Sequence, residues 1–284
     1  MKSRNQWFFA ASVFAILGLA VALPFTPVFS AGPNIVVTPT NQQGWSTADT
    51  RPGGAVNFVV DGTAPSGLGA LQLTTDNTNA AKAQYMHETN VPLADVTELS
   101  YYTRQVSASF AGGDPSYQLP VCLGGLTTPT PTNPTGCIGF TTFVYEPYEN
   151  PGLGTPGGSV IPNAWQQWDV DAGQFWSSRT FSSGTCAVIA GAGGPPFYSL
   201  AALKTACPNA VVVGFGVNIG TFNPSYNVYT DLFNFNGTTY DFEPYVVVSN
   251  KDQCKNGGFN QFTRADGSSF KNQGDCIQYV NTGK

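Results

Sequence analysis

The stretch Leu68–Thr75, LGALQLTT, decides the fold class of this 284-residue chain. Its apolar and polar residues alternate, and the dipeptide Asp76-Asn77 that follows it is a turn signal. Successive side chains on a strand point to opposite faces, so alternation with a period of two residues is typical of a half-buried β-strand. The stretch therefore predicts a strand with one face on a core, followed by a turn.

Short segments rich in β-branched and aromatic residues recur on both sides of this strand, and turn residues separate them. The alternation of strand and helix that a parallel α/β fold requires is missing. The sequence predicts one helix, at Ser199–Ala206, where Ser199 is the N-cap and Pro208 follows the end. We predict an all-β fold: an antiparallel two-sheet sandwich of jelly-roll type with one short helix. The predicted strands cover residues 35–37, 55–60, 68–75, 99–103, 117–121, 139–145, 164–170, 210–219, 226–235, 240–243 and 245–248; residues 81–88 fit either a helix or a strand.

The first thirty residues have the pattern of an export signal. Lys2 and Arg4 precede an apolar run, Phe8–Leu23, and the segment ends on small residues near Ser30. A membrane anchor is the alternative, but the run is short for a span and prolines follow it. The predicted organisation is a signal peptide at 1–30, a β-sandwich domain at 31–250 and a short Cys-pair segment at 251–284. No membrane span would remain after cleavage, and the protein would be secreted or held at the cell surface.

Charge is scarce and unevenly placed in this chain. Charged residues make up 10% of the sequence, against roughly 25% in an average soluble protein. Residues 31–250 carry five basic and fourteen acidic side chains, a net charge of −9, whereas residues 251–284 carry five basic and three acidic ones, a net of +2. An acidic body repels phosphates, so nucleic acid is excluded as a partner.

Six cysteines fall along the chain as three sequential pairs. An exported protein folds in an oxidising compartment, so three disulfides are expected, and spacings typical of a zinc site are missing. Fifteen connectivities are open, and we expect the sequential pairs because each pair brackets one loop. These are Cys122 with Cys137, Cys186 with Cys207, and Cys254 with Cys276.

Several longer segments carry a resemblance to a known type of protein. They are LQLTTDNTNAAKAQY (71–85), PLADVTELSYYT (92–103), FVYEPYENP (143–151), AWQQWDVDAGQFWSSRT (164–180), YSLAALKTACPNAVVVGFGVNIG (198–220) and TTYDFEP (238–244). Their order resembles an uncharacterised family of exported bacterial β-sandwich proteins that look like carbohydrate-binding modules. The tail, CKNGGFNQF (254–262) and FKNQGDCIQYV (270–280), resembles a two-cysteine unit found at the C-termini of exported bacterial proteins. The resemblance implies architecture and compartment rather than a chemistry.

Catalytic patterns are weak. Glycoside hydrolysis needs two carboxyl groups facing each other across the scissile bond. The close pairs are Glu146 with Glu149, Asp169 with Asp171, and Asp241 with Glu243, and the first pair is interrupted by a proline. The single histidine, His87, lacks the surroundings of a hydrolytic triad, and no phosphate-binding loop occurs. We therefore predict a protein that is not an enzyme.

Calcium is the cofactor that the sequence favours. It binds carboxylate and carbonyl oxygens at the ends of strands and in loops. Four acidic residues stand at predicted strand ends, and we name them as candidate ligands of a structural Ca²⁺: Asp169, Asp171, Asp241 and Glu243. The alternative is that they are solvated or hydrogen-bonded acids.

Aromatic residues supply the candidate binding site. Sugar rings stack on aromatic side chains, while polar groups bind their hydroxyls. Aromatic residues make up 13% of the chain, and we name Trp165, Trp168, Trp176, Tyr226 and Tyr229 as candidate carbohydrate-binding residues. Trp165 and Trp168 are three residues apart, so on a strand they face opposite sides and one of them belongs to the core.

The predicted function is that of an exported, non-catalytic binding protein for carbohydrate or another cell-surface polymer such as a cell-wall polymer. Two alternatives stay open: a structural cell-envelope protein without a small ligand, and a polysaccharide-directed hydrolase.

Overall fold

The computed structural model describes residues 33–150, 159–181, 186–187 and 191–284. The predicted signal peptide lies outside these described residues. Among them, no helix is both long enough and apolar enough to cross a lipid bilayer.

Two β-sheets form the body of the described chain. The first contains β1 (Asn34–Val37), β3 (Gly54–Val60), β4 (Gly69–Thr75), β6 (Leu99–Ser107), β9 (Gln166–Asp169), β13 (Asn227–Phe235) and β14 (Thr238–Phe242). The second contains β2 (Trp45–Ser46), β5 (Ala83–Pro92), β7 (Ser116–Cys122), β8 (Phe140–Tyr145), β10 (Gln174–Ser177), β11 (Tyr198–Ser199) and β12 (Val211–Ile219). The all-β, two-sheet prediction is confirmed.

Strand β13 is the centre of the first sheet, where it pairs with β4, β6 and β14; β3 lies beyond β4, and β9 lies beyond β6. The order in the second sheet is β11-β10-β8-β7-β12-β5-β2. One pairing departs from the antiparallel prediction, because β1 pairs with β14 in parallel. The ladder between β12 and β5 is irregular between Val212 and Gly214.

The core lies between the inner faces of the two sheets. In β4, Leu71 and Leu73 are buried while Gln72 between them is partly exposed, as its alternating sequence predicts. The core is rich in aromatic rings, and buried tyrosines still find partners: the Tyr101 hydroxyl donates to the Pro115 carbonyl at 2.6 Å and the Tyr117 hydroxyl to the Asn234 carbonyl at 2.8 Å. These bonds offset the cost of burying the hydroxyl groups.

Helix α1 (Leu200–Ala206) forms where the sequence predicts it, and the Ser199 side chain accepts a hydrogen bond from the Ala202 N–H at 3.2 Å. The prediction of a single helix is incomplete, because α2 (Gln273–Thr282) forms in the C-terminal segment. Its apolar residues, Cys276, Ile277, Tyr279 and Val280, belong to a small cluster of the C-terminal segment, and the Asn272 cap and the disulfide at Cys276 hold its start. Of residues 81–88, which fit either a helix or a strand, 83–88 are strand within β5; residues 245–248 do not form a strand.

All three disulfides join the sequential pairs, so the expected connectivity is confirmed: Cys122–Cys137, Cys186–Cys207 and Cys254–Cys276. Three disulfides are typical of proteins that fold in oxidising compartments.

The C-terminal segment has its own small apolar cluster, in which Val248, Cys254, Phe270 and Cys276 are buried. Arg264 reinforces it, because its guanidinium pairs with Asp275 at 2.7 Å and lies over the Phe270 ring at 4.6 Å. A cluster of this size buries little apolar area, so the disulfide supplies much of its stability.

We expect the double variant Cys254→Ser/Cys276→Ser to unfold the C-terminal segment locally. Closing a loop of 22 residues stabilises the folded state by roughly 3 kcal/mol in the chain-entropy model. Hydrogen exchange measured by mass spectrometry should show loss of protection across α2 and unchanged protection in β13. The double variant Cys122→Ser/Cys137→Ser is the control and should leave α2 protected. Retained protection of α2 in the first variant would contradict the prediction.

A cleft on the open face of the second sheet

On the outward face of the second sheet, one row of residues crosses five strands. Trp176 of β10 lies opposite Val144 of β8, Val144 opposite Gln118 of β7, Gln118 opposite Gly216 of β12, and Gly216 opposite Met86 of β5. The neighbouring residues along each strand point the other way, into the core. Gly216 carries no side chain because a Cβ there would lie 2.2 Å from the Tyr85 carbonyl oxygen.

Two cavities of about 450 Å³ and 410 Å³ lie over this face. Their linings share residues, so the two cavities lie side by side, and we call them together the cleft. The shared residues are Gln118, Trp176, Asn218, Gly220 and Thr221. Each half falls within the size range of small-ligand sites, roughly 300–1,000 Å³. Amide side chains at the centre can both donate and accept hydrogen bonds.

Exposed aromatic rings line the cleft. In the described part of the chain, the aromatic side chains classed as exposed are Phe110 (49%), Phe140 (40%), Tyr148 (40%) and Phe222 (77%). All four contribute to the cleft wall: Phe140 to the smaller cavity and the other three to the larger one. Phe110 and Tyr148 contact each other edge to face, with ring centroids 5.1 Å apart. The exposed aromatic rings of the described chain are thus gathered around one cleft rather than scattered singly over the surface.

Phe222 is also held in an unusual backbone conformation. Its φ is +67°, in the left-handed region, where a bulky side chain costs roughly 1–2 kcal/mol. The loop is fixed by the Phe222 N–H, which donates to the Asn79 carbonyl at 2.9 Å. The exposed ring of Phe222 is thus displayed from a backbone conformation that is unfavourable for a bulky residue.

Glu146 stands in the wall of the larger cavity, directly after β8. Its Oε2 accepts hydrogen bonds from the Trp176 indole N–H at 2.9 Å and from the Tyr148 hydroxyl at 3.0 Å. Burial raises the pKa of the Glu146 carboxyl, and the two hydrogen bonds oppose that rise. The carboxyl thus fixes the orientation of both rings at the cleft surface.

Asp114 lies deeper in the same cavity. The Trp168 indole N–H donates to Thr103 Oγ1 at 2.7 Å, and the Thr103 hydroxyl donates in turn to Asp114 Oδ2. The other oxygen, Oδ1, is buried and has no hydrogen-bond partner. Burial raises the pKa of Asp114 to about 8, and the bond from Thr103 only partly offsets this. Asp114 is therefore largely protonated at neutral pH.

The smaller cavity carries basic residues. Arg51, Lys82 and Arg179 line it together with one acid, Asp49. Lys82 forms an ion pair with Asp49, and its hydrogen bond is the main reason why the pKa of the Asp49 carboxyl is lowered. Arg51 Nε lies farther away, 3.8 Å from Asp49 Oδ1. The Arg179 guanidinium lies over the Phe140 ring, 5.1 Å from its centroid.

Two of the five candidate carbohydrate-binding residues line the cleft: Trp176, which is partly exposed, and Tyr226, which is 3% exposed. Trp168 is fully buried in the core, where its ring is closed to any ligand. The expected split between Trp165 and Trp168 is present, since Trp165 is partly exposed and Trp168 is not.

Trp165 and Tyr229 meet on the first sheet instead, away from the cleft lining. The Arg104 guanidinium lies over both rings, 4.6 Å from the Tyr229 centroid and 5.5 Å from the Trp165 centroid. Arg104 in turn pairs with Asp61 at 2.9 Å. The Arg104 guanidinium thus stacks on two partly exposed rings, and carbohydrate binding by Trp165 and Tyr229 stays a prediction.

The four candidate calcium ligands form two pairs at different places. Asp171 Oδ1 accepts from the Leu99 N–H at 2.9 Å, close to Asp169, whose pKa is raised by burial and by Asp171. Asp241 lies in β14 and Glu243 directly after that strand. Asp241 accepts a hydrogen bond from the Ser66 hydroxyl, and Glu243 accepts one from the Leu68 N–H. Within the described residues, no group of three or more His, Cys, Asp or Glu side chains could hold a metal ion. Calcium at either pair stays a prediction.

Sequence reasoning missed most of the cleft. Its exposed rings, Phe110, Phe140, Tyr148 and Phe222, stand singly in turns or at strand ends, and its central amides come from strands far apart in the chain. The local signals were the loop position of Phe222 and the motif Tyr145-Glu146-Pro147-Tyr148, in which the proline ends the strand and turns Tyr148 outward.

No protein-family model matches this chain, and no curated protein matches it. Solved structures with a related arrangement include the family 11 carbohydrate-binding module of the cellulosomal cellulase Lic26A-Cel5E of Clostridium thermocellum. It is 8% identical with a TM-score of 0.36, and the match covers 70% of this chain and 89% of the module.

Two further structures are similar at the same level. The CBM22-1 xylan-binding domain of Paenibacillus barcinonensis Xyn10C is 14% identical with a TM-score of 0.30, and the match covers 70% of this chain and 86% of the domain. The arabinose-bound MgGH51 α-L-arabinofuranosidase is 9% identical with a TM-score of 0.35, and the match covers 70% of this chain and 24% of the enzyme. Likenesses of this size carry no argument about what this chain binds, and the resemblance to one exported family stays a prediction.

Proposed function

We propose that this protein binds a polysaccharide chain in the cleft of the second sheet, without chemical turnover. The observation that carries the proposal is the gathering of the exposed aromatic rings around one cleft, as Phe110, Phe140, Tyr148 and Phe222. Aromatic rings stack on the apolar faces of sugars, and the amides of Gln118 and Asn218 suit their hydroxyl groups. The predicted export of the chain agrees with a polymer outside the cell as the ligand.

The test measures the affinity of the purified protein for a panel of soluble polysaccharides by isothermal titration calorimetry and by affinity electrophoresis. We expect Tyr148→Ala and Phe222→Gly each to weaken binding about tenfold, since a stacked aromatic ring contributes roughly 1 kcal/mol or more. Phe222→Gly should leave the melting temperature unchanged or higher, because glycine adopts a positive φ without strain.

Two controls separate the cleft from the rest of the surface. Val60→Ala removes an apolar side chain that is 65% exposed and does not line the cleft. Trp165→Ala removes the partly exposed tryptophan of the first sheet. Both variants should bind as the parent protein does. Loss of binding in Trp165→Ala together with full binding in Tyr148→Ala would move the site to the first sheet, and no binding to any polysaccharide would favour the structural cell-envelope alternative.

A polysaccharide hydrolase is the second candidate. It is favoured by two carboxyl groups, Glu146 and Asp114, that line the same cavity and both have a raised pKa because of burial. Hydrolysis would release reducing ends, and Glu146→Gln would abolish that release while binding persists. We expect no release by the parent protein.

Calcium is tested by measuring the melting temperature of the protein with added Ca²⁺ and with a chelator. If Asp169 with Asp171, or Asp241 with Glu243, hold a structural Ca²⁺, the chelator lowers the melting temperature and excess Ca²⁺ restores it.

A further inference from the structure

The basic residues of the sandwich are concentrated in one half of the cleft. Residues 31–250 contain five basic side chains, Arg51, Lys82, Arg104, Arg179 and Lys204. Three of them, Arg51, Lys82 and Arg179, line the smaller cavity, which we call the basic half. The other two are used elsewhere: Arg104 pairs with Asp61, and the Lys204 ammonium donates to the Val96 carbonyl. Such a concentration in a body of net charge −9 calls for a functional reason.

These cations are only partly neutralised. Asp49 is the single acid of the basic half, so three positive charges face one negative charge. Arg51 is about half exposed, and its contact with Asp49 is long, at 3.8 Å. Arg179 forms no ion pair with a carboxylate of the described residues, and its guanidinium lies over Phe140, one of the exposed rings. A guanidinium beside an exposed ring can bind a carboxylate while the ring stacks on the sugar that carries it.

The larger cavity has the opposite character, and we call it the acidic half. Asp114, Glu146 and Glu149 line it, and no basic residue stands among its described lining residues. The carboxylates of Glu146 and Glu149 can accept hydrogen bonds from sugar hydroxyls. A negatively charged sugar would be repelled here, because the carboxylates of Glu146 and Glu149 line this half.

We propose that the ligand is a mixed polymer, that is, a polysaccharide in which some sugars carry a carboxylate and others are neutral. A uronic acid carboxylate binds the basic half, and neutral sugars occupy the acidic half. This inference rests on the proposed function and names its ligand class. The polarity of the cleft would also set the direction of the bound chain. A polymer with a carboxylate on every sugar fits less well, because the acidic half would meet charged residues of the same sign.

The experiment compares matched polymers. Hyaluronan, glucuronoxylan and xanthan carry carboxylates on some of their sugars, and each is titrated beside its own carboxyl-reduced form, in which every carboxylate has become a primary alcohol. Polygalacturonate, with a carboxylate on every sugar, and dextran sulfate are titrated as fully charged polymers. We expect at least one mixed polymer to bind about tenfold more tightly than its reduced form and more tightly than polygalacturonate. Raising the salt to 0.5 M should shrink that difference.

The variant Arg51→Gln/Arg179→Gln should remove the preference for the carboxylate form, so that a mixed polymer and its reduced form bind with the same affinity. Lys251→Gln/Lys255→Gln removes the same charge from the C-terminal segment and should keep the preference. Equal affinity for a mixed polymer and its reduced form, with binding still lost in Tyr148→Ala, would overturn this inference and leave the proposed function standing. If dextran sulfate bound most tightly of all, binding would be simple ion exchange, and the inference that the cleft recognises a carboxylate would be overturned. No binding to any polymer would overturn the proposed function itself.

Discussion

Replacing Trp45 with alanine should lower the free energy of unfolding by about 4 kcal/mol, as expected for removing a large buried aromatic side chain. Trp45 is 2% exposed, although β2 has only two residues. Its ring stacks on Tyr85 at 5.2 Å and meets Phe215, Phe233, Tyr240 and Phe242 edge to face at 5.1–5.6 Å. These rings belong to both sheets, so Trp45 joins them at one edge of the core.

The measurement is chemical denaturation at constant temperature, followed by tryptophan fluorescence and circular dichroism. Trp45→Phe is the matched variant, because it keeps a ring in the cluster and removes the indole N–H, which is buried without a hydrogen-bond partner. We expect this variant to lose less than half as much stability as Trp45→Ala. Equal losses in the two variants would show that the indole, rather than a ring as such, holds the sheets together.

Stability should fall as the pH rises from about 5 to about 8, and buried carboxyl groups are the cause. Burial raises the pKa of Asp114 and of Asp231 to about 8, and that of Glu243 to about 7. In the unfolded chain these groups titrate near pH 4. Between the two values the folded state binds more protons than the unfolded state, so each step up in pH favours unfolding. These groups contribute their full stabilisation of the folded state below about pH 4, and this stabilisation is lost as the pH rises through their pKa values in the folded state.

Asp114→Asn should raise the free energy of unfolding at pH 8 by about 3 kcal/mol, because folding no longer has to protonate an ionised carboxyl or bury its charge. The Asn carbonyl can still accept the hydrogen bond from Thr103, so the chain from Trp168 through Thr103 persists. Melting curves from pH 5 to pH 8 should fall less steeply in this variant, and less again in Asp114→Asn/Asp231→Asn. In Asp231→Asn, the carbonyl can still accept from the Phe242 N–H, which Asp231 Oδ1 binds at 3.0 Å.

A parent protein whose melting temperature stays level or rises across this interval would contradict the prediction. Asp76→Asn is a suitable control. Asp76 is exposed, and hydrogen bonds from Thr78 lower its pKa, so its replacement should leave the slope between pH 5 and pH 8 unchanged.

The two-sheet architecture follows from the alternating segments of the sequence. Leu71 and Leu73 point inward and Gln72 outward because the two-residue period of a strand is local, and it survives in the sheet. The disulfide partners were predictable for a similar reason: each pair closes a loop of 15 to 22 residues. The second helix was missed because its apolar residues, Cys276, Ile277, Tyr279 and Val280, form only a short run, and the cluster that they pack against is assembled from distant residues of the tail.

The cleft was decided by tertiary structure alone. Gln118, Trp176 and Asn218 are far apart in sequence, and they meet because the register of β7, β10 and β12 places them on one face. The same long-range pairing put Trp165 and Tyr229 under Arg104 and left Phe222 exposed. Periodicity shows which residues of one strand share a face, but which strands become neighbours, and which loops close over them, depends on packing between distant segments. The sequence by itself determined a disulfide-linked β-sandwich, and the folded chain determined where its exposed rings and charges gather.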